Sequence, residues 1–269
     1  VQSRMPSSAW REFEGRPGID FIKLDVNGSE AKALAGAKTM LTETSPVIQF
    51  AIGEGGRQFT ETSEWLSSKG YQLYEYVPGP QLLTPYDSEA EADPYLMNLI
   101  AMKEDRAEEL KTSGWLHNED FEPDEPEAGW WKQTLRQLPW AGGKIADWEQ
   151  QTLSPQNREY LQALDYLCAA EEIDLKNAKN PTVRSEKAVL MLGAAQILIQ
   201  LYNSGRTSLP VALILARVLT ALGKRGQAVD ILKKVMESDE FGQQTMELNL
   251  PFLPPLPEQD KAPVNTDFG

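Results

Sequence analysis

Four short runs rich in Ile, Val, Leu, Phe or Tyr, at residues 20–26, 46–52, 71–77 and 95–102, alternate with helical and turn-forming patterns, and this alternation restricts the first hundred residues to an α/β fold. Asn27-Gly28-Ser29-Glu30 carries a helix start signal, with Asn27 or Ser29 as cap and Leu34, Ala37 and Leu41 on one helical face. A second helix is expected over 61–69, stopped by Gly70. Pro78, Gly79, Pro80 and an acidic loop join the last two runs, which suits an antiparallel hairpin. The order β-α-β-α-β-β predicts a parallel sheet ending in a reversed edge.

The first run and its exit read Phe21-Ile22-Lys23-Leu24-Asp25-Val26-Asn27-Gly28-Ser29-Glu30, followed by Leu34, Gly36-Ala37 and Pro46-Val47-Ile48. An Asp at the carboxyl end of a parallel strand points into the crevice where open α/β sheets bind ligands, and Gly28 lets the chain turn into a helix close to that ligand. Period-two alternation places Lys23 and Asp25 on one side of the strand and Leu24 and Val26 on the other. Lys23 is expected deeper in, where it needs a carboxylate or carbonyl partner, with Asp25 or Glu30 at hand. A structural ion pair between Lys23 and Glu30, with Asn27, Ser29 and Glu30 only capping the helix, is the alternative.

These residues resemble the FkbM family of S-adenosylmethionine-dependent methyltransferases. In that family a strand ending Lys-x-Asp-x-Glu-Gly-x-Glu leads into a helix with a Leu-x-Gly-Ala element and then into a strand opening with Pro; Lys23, Asp25, Gly28, Glu30, Leu34, Gly36, Ala37 and Pro46 match in order. The resemblance covers residues 19–103. It implies that residues 1–105 are the C-terminal half of a seven-stranded Rossmann-like methyltransferase sheet, its fourth to seventh strands, with the last two as an antiparallel hairpin. It implies Asp25, Lys23 and Glu30 as catalytic residues, Asp25 positioning or deprotonating the acceptor oxygen, and Asn27 and Gly28 approaching the ligand. The cofactor implied is S-adenosylmethionine. The reaction implied is O-methyl transfer to a small-molecule acceptor, a hydroxyl of a sugar or secondary metabolite.

The cofactor half of such enzymes, a first strand with its Gly-rich turn and an acidic end to the second strand, has no counterpart before Asp20, and the chain opens with Val1. An upstream half is therefore expected outside this chain, which alone is expected to be inactive. Gly53-Glu54-Gly55-Gly56 follows the wrong strand and is read as a tight exit. Asn27 stands where the family has Glu, and Ala51 lies near a position where an acidic residue is common. A non-catalytic scaffold acting through its helices is accordingly the alternative function.

The remainder divides into a linker at 106–150, a helical region at 151–240 and a Pro-rich tail at 241–269. Residues 104–127 hold ten acidic and two basic residues, and so supply most of a net charge of −14. That charge opposes nucleic acid and anionic membranes as partners. Trp115, Trp130, Trp131, Trp140 and Trp148 lie in or beside the linker, where they are expected to dock it onto its flanks, a sugar ring being the alternative ligand. Helical spacing over 157–175, 183–202, 210–222 and 227–237 predicts an all-α region. Its last two helices resemble a tetratricopeptide repeat through Leu215, Ala216, Leu219, Gly223, Ala228, Leu232 and Val235, and residues 154–240 can bind a protein partner. The tail carries Pro251, Pro254, Pro255, Pro257 and Pro263 and is expected to be disordered, with Pro-x-x-Pro spacing able to present a polyproline ligand. One His117 and one Cys168 exclude multi-imidazole zinc sites, thiolate clusters and internal disulfides, so no metal is expected. No apolar run of about 18 residues is present, and the lone cysteine suits the cytoplasm.

Overall fold

The computed structural model describes residues 6–13, 15–26, 28–52, 57–90, 92–151, 154–176, 180–206, 208–237 and 250–254. The chain forms two compact units, Val1–Asp120 with Ala178–Ser185, and Phe121–Asn177 with Glu186–Gly269.

The first unit is mixed α/β. Its strands β1 (Phe21–Leu24), β2 (Val47–Ala51), β3 (Gln72–Val77), β4 (Leu82–Pro85) and β5 (Asn98–Met102) form one sheet in the order β1-β2-β5-β3-β4. β1 and β2 run parallel, and β5 runs antiparallel to both β2 and β3. This is the expected parallel set with a reversed last strand, a partial Rossmann-like sheet. The reversed strand lies inside the sheet, however, and not at its edge. The edge beyond β3 is taken by β4, which pairs antiparallel with it. Only four residues ending in Pro85, β4 reads as loop in the sequence, yet Pro is tolerated on an edge strand, where its missing N–H faces no partner. The outer side of β4 is closed in turn by Leu116, where the Leu83 N–H donates to the Trp115 carbonyl and the His117 N–H to the Leu83 carbonyl, each at 2.8 Å.

Alternation along the strands builds two cores. Leu24, Ile48, Phe50, Leu99 and Ala101 face α1 (Pro6–Glu12), α2 (Glu30–Gly36), α3 (Lys38–Thr44) and α4 (Arg57–Ser67), which contribute Trp10, Leu34, Met40, Leu41 and Leu66. On the other face, α5 (Glu104–Thr112) brings Ala107 and Leu110 over Val47, Tyr74, Ile100 and Met102. Leu34, Ala37 and Leu41 are buried as their spacing predicts, but the helix is broken into α2 and α3. The break falls at Ala37, whose N–H is shared between the Ala33 and Leu34 carbonyls at 3.0 Å each, a tightening of the turn. α4 stops as expected at Gly70 (φ +81°), with the Gly70 N–H donating to the Ser67 carbonyl.

Arg106 on α5 ties the surrounding loops together. Its Nε donates to the Ser45 carbonyl at 2.9 Å, one Nη to Asp20 Oδ1 at 3.0 Å and the other to Glu109 Oε2 at 2.9 Å. These bonds fix the entry to β1 and the left-handed exit from α3 at Ser45 (φ +45°). Arg106→Ala is expected to destabilise the unit by about 2 kcal/mol, since it releases a backbone carbonyl and two carboxylates at once. Arg106→Lys should recover little of that loss, because an ammonium cannot reach three directions as a guanidinium fork does. Urea unfolding of the two variants checks both expectations.

The second unit is all-α: α6 (Trp130–Arg136), α7 (Ile145–Gln151), a 3₁₀ turn, α8 (Arg158–Glu172), α9 (Val183–Asn203) from Glu186 on, α10 (Leu209–Ala221) and α11 (Arg225–Glu237). The last four helices lie within a few residues of the ranges their periodicity predicts. Among the described residues no helix is long and apolar enough to cross a membrane. α10 and α11 pack on each other around Leu215, Ala216, Leu219 and Ala228, all buried, whereas Leu232, a repeat-pattern position, stands 37% exposed.

Residues 106–150 do not form a separate linker: those up to Asp120 belong to the α/β unit and those from Phe121 to the helical one. Trp131 and Trp148 are core residues of the helical unit, and the Trp115 ring lies 3.8 Å beneath the Arg184 guanidinium. Trp131, at 2% exposure, has no face left for a sugar. In the tail, residues 238–249 and 255–269 lie outside the described residues, but 250–254 are docked, with Pro251 and Leu253 buried. The expectation of disorder is corrected there. Aromatic surface on the helical unit offers Phe252 and Leu253 a place that composition alone does not reveal.

Candidate functional site

β1 ends at Leu24, and the chain turns through Asp25, Val26 and Gly28 into α2. Gly28 has φ +87°, a conformation that an L side chain rarely adopts, so glycine at this point lets the strand reverse into the helix within a few residues. Asn27 lies outside the described residues, as do residues 53–56 after β2.

Lys23 and Asp25 are together: Lys23 Nζ lies 3.5 Å from Asp25 Oδ2, with the two side chains 61% and 57% exposed. The pairing agrees with period-two alternation. The expected depth of Lys23 does not hold. Among the described residues β1 is an edge strand flanked only by β2, and the helix on that face, α5, packs over Val47, Ile100 and Met102 and leaves Phe21 and Lys23 in solvent. Such an exposed ion pair contributes under about 1 kcal/mol to stability, so its chemistry rather than its energy is what the site offers.

Glu30 turns the other way. It is 7% exposed, and its Oε1 accepts the Val26 N–H at 3.3 Å, so the first residue of α2 reaches back to hold the loop it follows. Ser29 stands before the helix without a side-chain capping bond. The structure thus brings Lys23 and Asp25 together at the lip and assigns Glu30 to the turn beneath them.

Two further polar residues share this face. The β1–β2 register sets Gln49 beside Lys23, and the β2–β5 register sets Asn98 beside Ala51. Both are half-buried. Their amides supply donors and acceptors next to the Lys23–Asp25 pair and stand where the sequence shows only Ala51. No local signal marks them, because the registers join residues far apart in the chain. Among the described residues no group of three or more His, Cys, Asp and Glu is placed to hold a metal ion. The arrangement can therefore accept a proton at Asp25, balance that carboxylate with Lys23, and hydrogen-bond a polar ligand through Gln49, Asn98 and the backbone around Gly28.

No curated protein and no solved structure matches the chain. Residues 3–73 match the family model described as the methyltransferase FkbM domain, a stretch that takes in Lys23, Asp25, Gly28 and Glu30. Over that stretch the chain is similar to part of an FkbM methyltransferase domain.

Proposed function

We propose that the α/β unit serves an S-adenosylmethionine-dependent methyltransferase and forms the acceptor side of its active site, with the methyl group passing to a hydroxyl of a sugar or secondary metabolite. The observation that carries this reading is the Lys23–Asp25 pair at the carboxyl end of β1, inside the matched segment and above a glycine turn. The described residues do not make a cradle for the donor: no glycine-rich strand-to-helix turn or second acidic strand end lies among them beside this lip. S-adenosylmethionine supplies a methyl group activated on a sulfonium sulfur. This chain's own residues act on the acceptor. Asp25 takes the proton of the hydroxyl, Lys23 stabilises the carboxylate before the transfer, and Glu30 keeps the loop in register through the Val26 N–H. Gln49 and Asn98 are the candidate hydrogen-bonding partners for neighbouring hydroxyls.

The test is methyl transfer from radiolabelled S-adenosylmethionine to a panel of hydroxylated sugars by the natural protein. Asp25→Ala is expected to lower turnover by about 10²-fold, the usual scale of a lost general base. Turnover equal to that of the unaltered protein would remove Asp25 from the reaction. Cys168 is buried and free, which suits a reducing compartment, and the cytoplasm is the proposed place of action.

A further inference from the structure

Residues 250–254, Leu-Pro-Phe-Leu-Pro, lie on the helical unit without forming helix or strand, and four side chains hold them. The Tyr160 hydroxyl, on α8, donates to the Pro251 carbonyl at 2.5 Å. The Arg217 guanidinium, on α10, donates to the Pro254 carbonyl. Between these anchors the Phe252 ring packs on Trp140 with centroids 5.0 Å apart and meets Trp148 edge-on at 6.2 Å. Leu253 is buried beside them.

Pro251 and Pro254 are three residues apart in the sequence, the repeat of a polyproline helix. With three residues per turn, carbonyls three apart face the same side about 9 Å from each other, and Pro251 and Pro254 are the two carbonyls caught. The two donors come from different helices and are fixed by their own surroundings. Tyr160 is a buried residue of α8, and Arg217 is held by Glu171 at 3.4 Å. A T-shaped Trp140–Trp148 pair supplies the aromatic wall. Backbone carbonyls caught by side-chain donors beside aromatic rings are the mode by which proline-rich segments are recognised between proteins. The groove needs nothing from the segment except two carbonyls in this register, an aromatic ring after the first and an apolar side chain before the second.

We propose that this groove is a recognition site for a proline-rich segment of a partner protein, of the form Pro-aromatic-apolar-Pro, and that residues 250–254 are its tethered competitor. Residues 238–249 join the segment to α11. Because the resident segment belongs to the same chain, its docking is intramolecular and sets a threshold that a partner must exceed. This site is independent of the methyl-transfer reading and uses none of its residues.

The test uses the full chain and a fluorescein-labelled peptide with the sequence of residues 249–256. Phe252→Ala weakens the resident segment, and the labelled peptide is expected to bind this variant at least tenfold more tightly than it binds the unaltered chain. The same peptide with its own Phe replaced by Ala should not compete. A second route covers the case in which the variant folds poorly. A protease site inserted between Gly242 and Gln243 separates the segment from α11 once it is cleaved, and the released segment should leave on dilution while the helical circular dichroism is retained. Absence of peptide binding to a folded variant, loss of the helical signal as the cut segment leaves, or a dimer with exchanged segments by light scattering would each overturn the proposal.

Discussion

Phe50→Ala is expected to destabilise the α/β unit by about 4 kcal/mol, close to the upper end for removal of a buried aromatic ring. Phe50 has no exposed surface and lies on β2, between β1 and β5, among Leu24, Leu34, Ile48, Leu66 and Leu99. Neighbours that belong to strands on both sides and to two helices cannot all move inward, so most of the cavity stays open. A domain of this size has roughly 5–15 kcal/mol in all, and the loss should lower its melting temperature by roughly 15–25 °C. Phe21 is the control: it lies on the opposite face of β1 at 55% exposure, and Phe21→Ala should cost under about 0.5 kcal/mol. Thermal melts of the two variants separate a buried face from an open one. Equal shifts would mean that the two faces of the sheet are not distinguished in this way.

Asp165→Ala should cost the helical unit about 3 kcal/mol. Asp165 is a buried carboxylate on α8 whose oxygens accept the Gly129 N–H at 2.9 Å and the Trp131 N–H at 2.8 Å. The first residues of α6 have no side chain of their own to cap them, since Gly129 occupies the position before the helix. Asp165 therefore caps α6 from another helix. Burial pushes its carboxyl above the ordinary range, and the bonds from the Trp131 and Gly129 backbones pull it back. Removing the carboxylate leaves two N–H groups without acceptors, at about 1–3 kcal/mol each. Asp165→Asn should lose about half as much, because its one amide oxygen can still take one of the two donors. Urea titration followed by helical circular dichroism measures both, and a loss below about 1 kcal/mol for Asp165→Ala would show that α6 keeps its place without the cap.

Local pattern carried much of this architecture. The runs containing β1, β2, β3 and β5, the stop of α4 at Gly70 and the four long helices follow from alternation, period and capping within windows of a few to about twenty residues. The pairing of Lys23 with Asp25 follows from alternation as well. Long-range pairing was not legible. β4 has too few residues to stand out from a turn, and its strand character comes from β3 on one side and Leu116 on the other. Gln49 and Asn98 reach the lip through registers that no window contains. The exposure of Lys23 depends on which strands and helices stand next to β1, a property of the assembled sheet. Docking of residues 250–254 depends on Trp140, Trp148, Tyr160 and Arg217, which come together only after α7, α8 and α10 are packed.

The insertion of β5 between β2 and β3 imposes an order on synthesis. Until residue 102 has left the ribosome, β2 and β3 each carry an inner row of unsatisfied N–H and C=O groups, and no earlier strand can take that place. The family-matched stretch, residues 3–73, ends before β5 and holds only the start of β3. Expressed by itself it would be a nascent intermediate made permanent, with a β2 edge that can be satisfied only by another molecule. The stretch that resembles the family and the smallest unit able to finish folding are thus different lengths of the same chain.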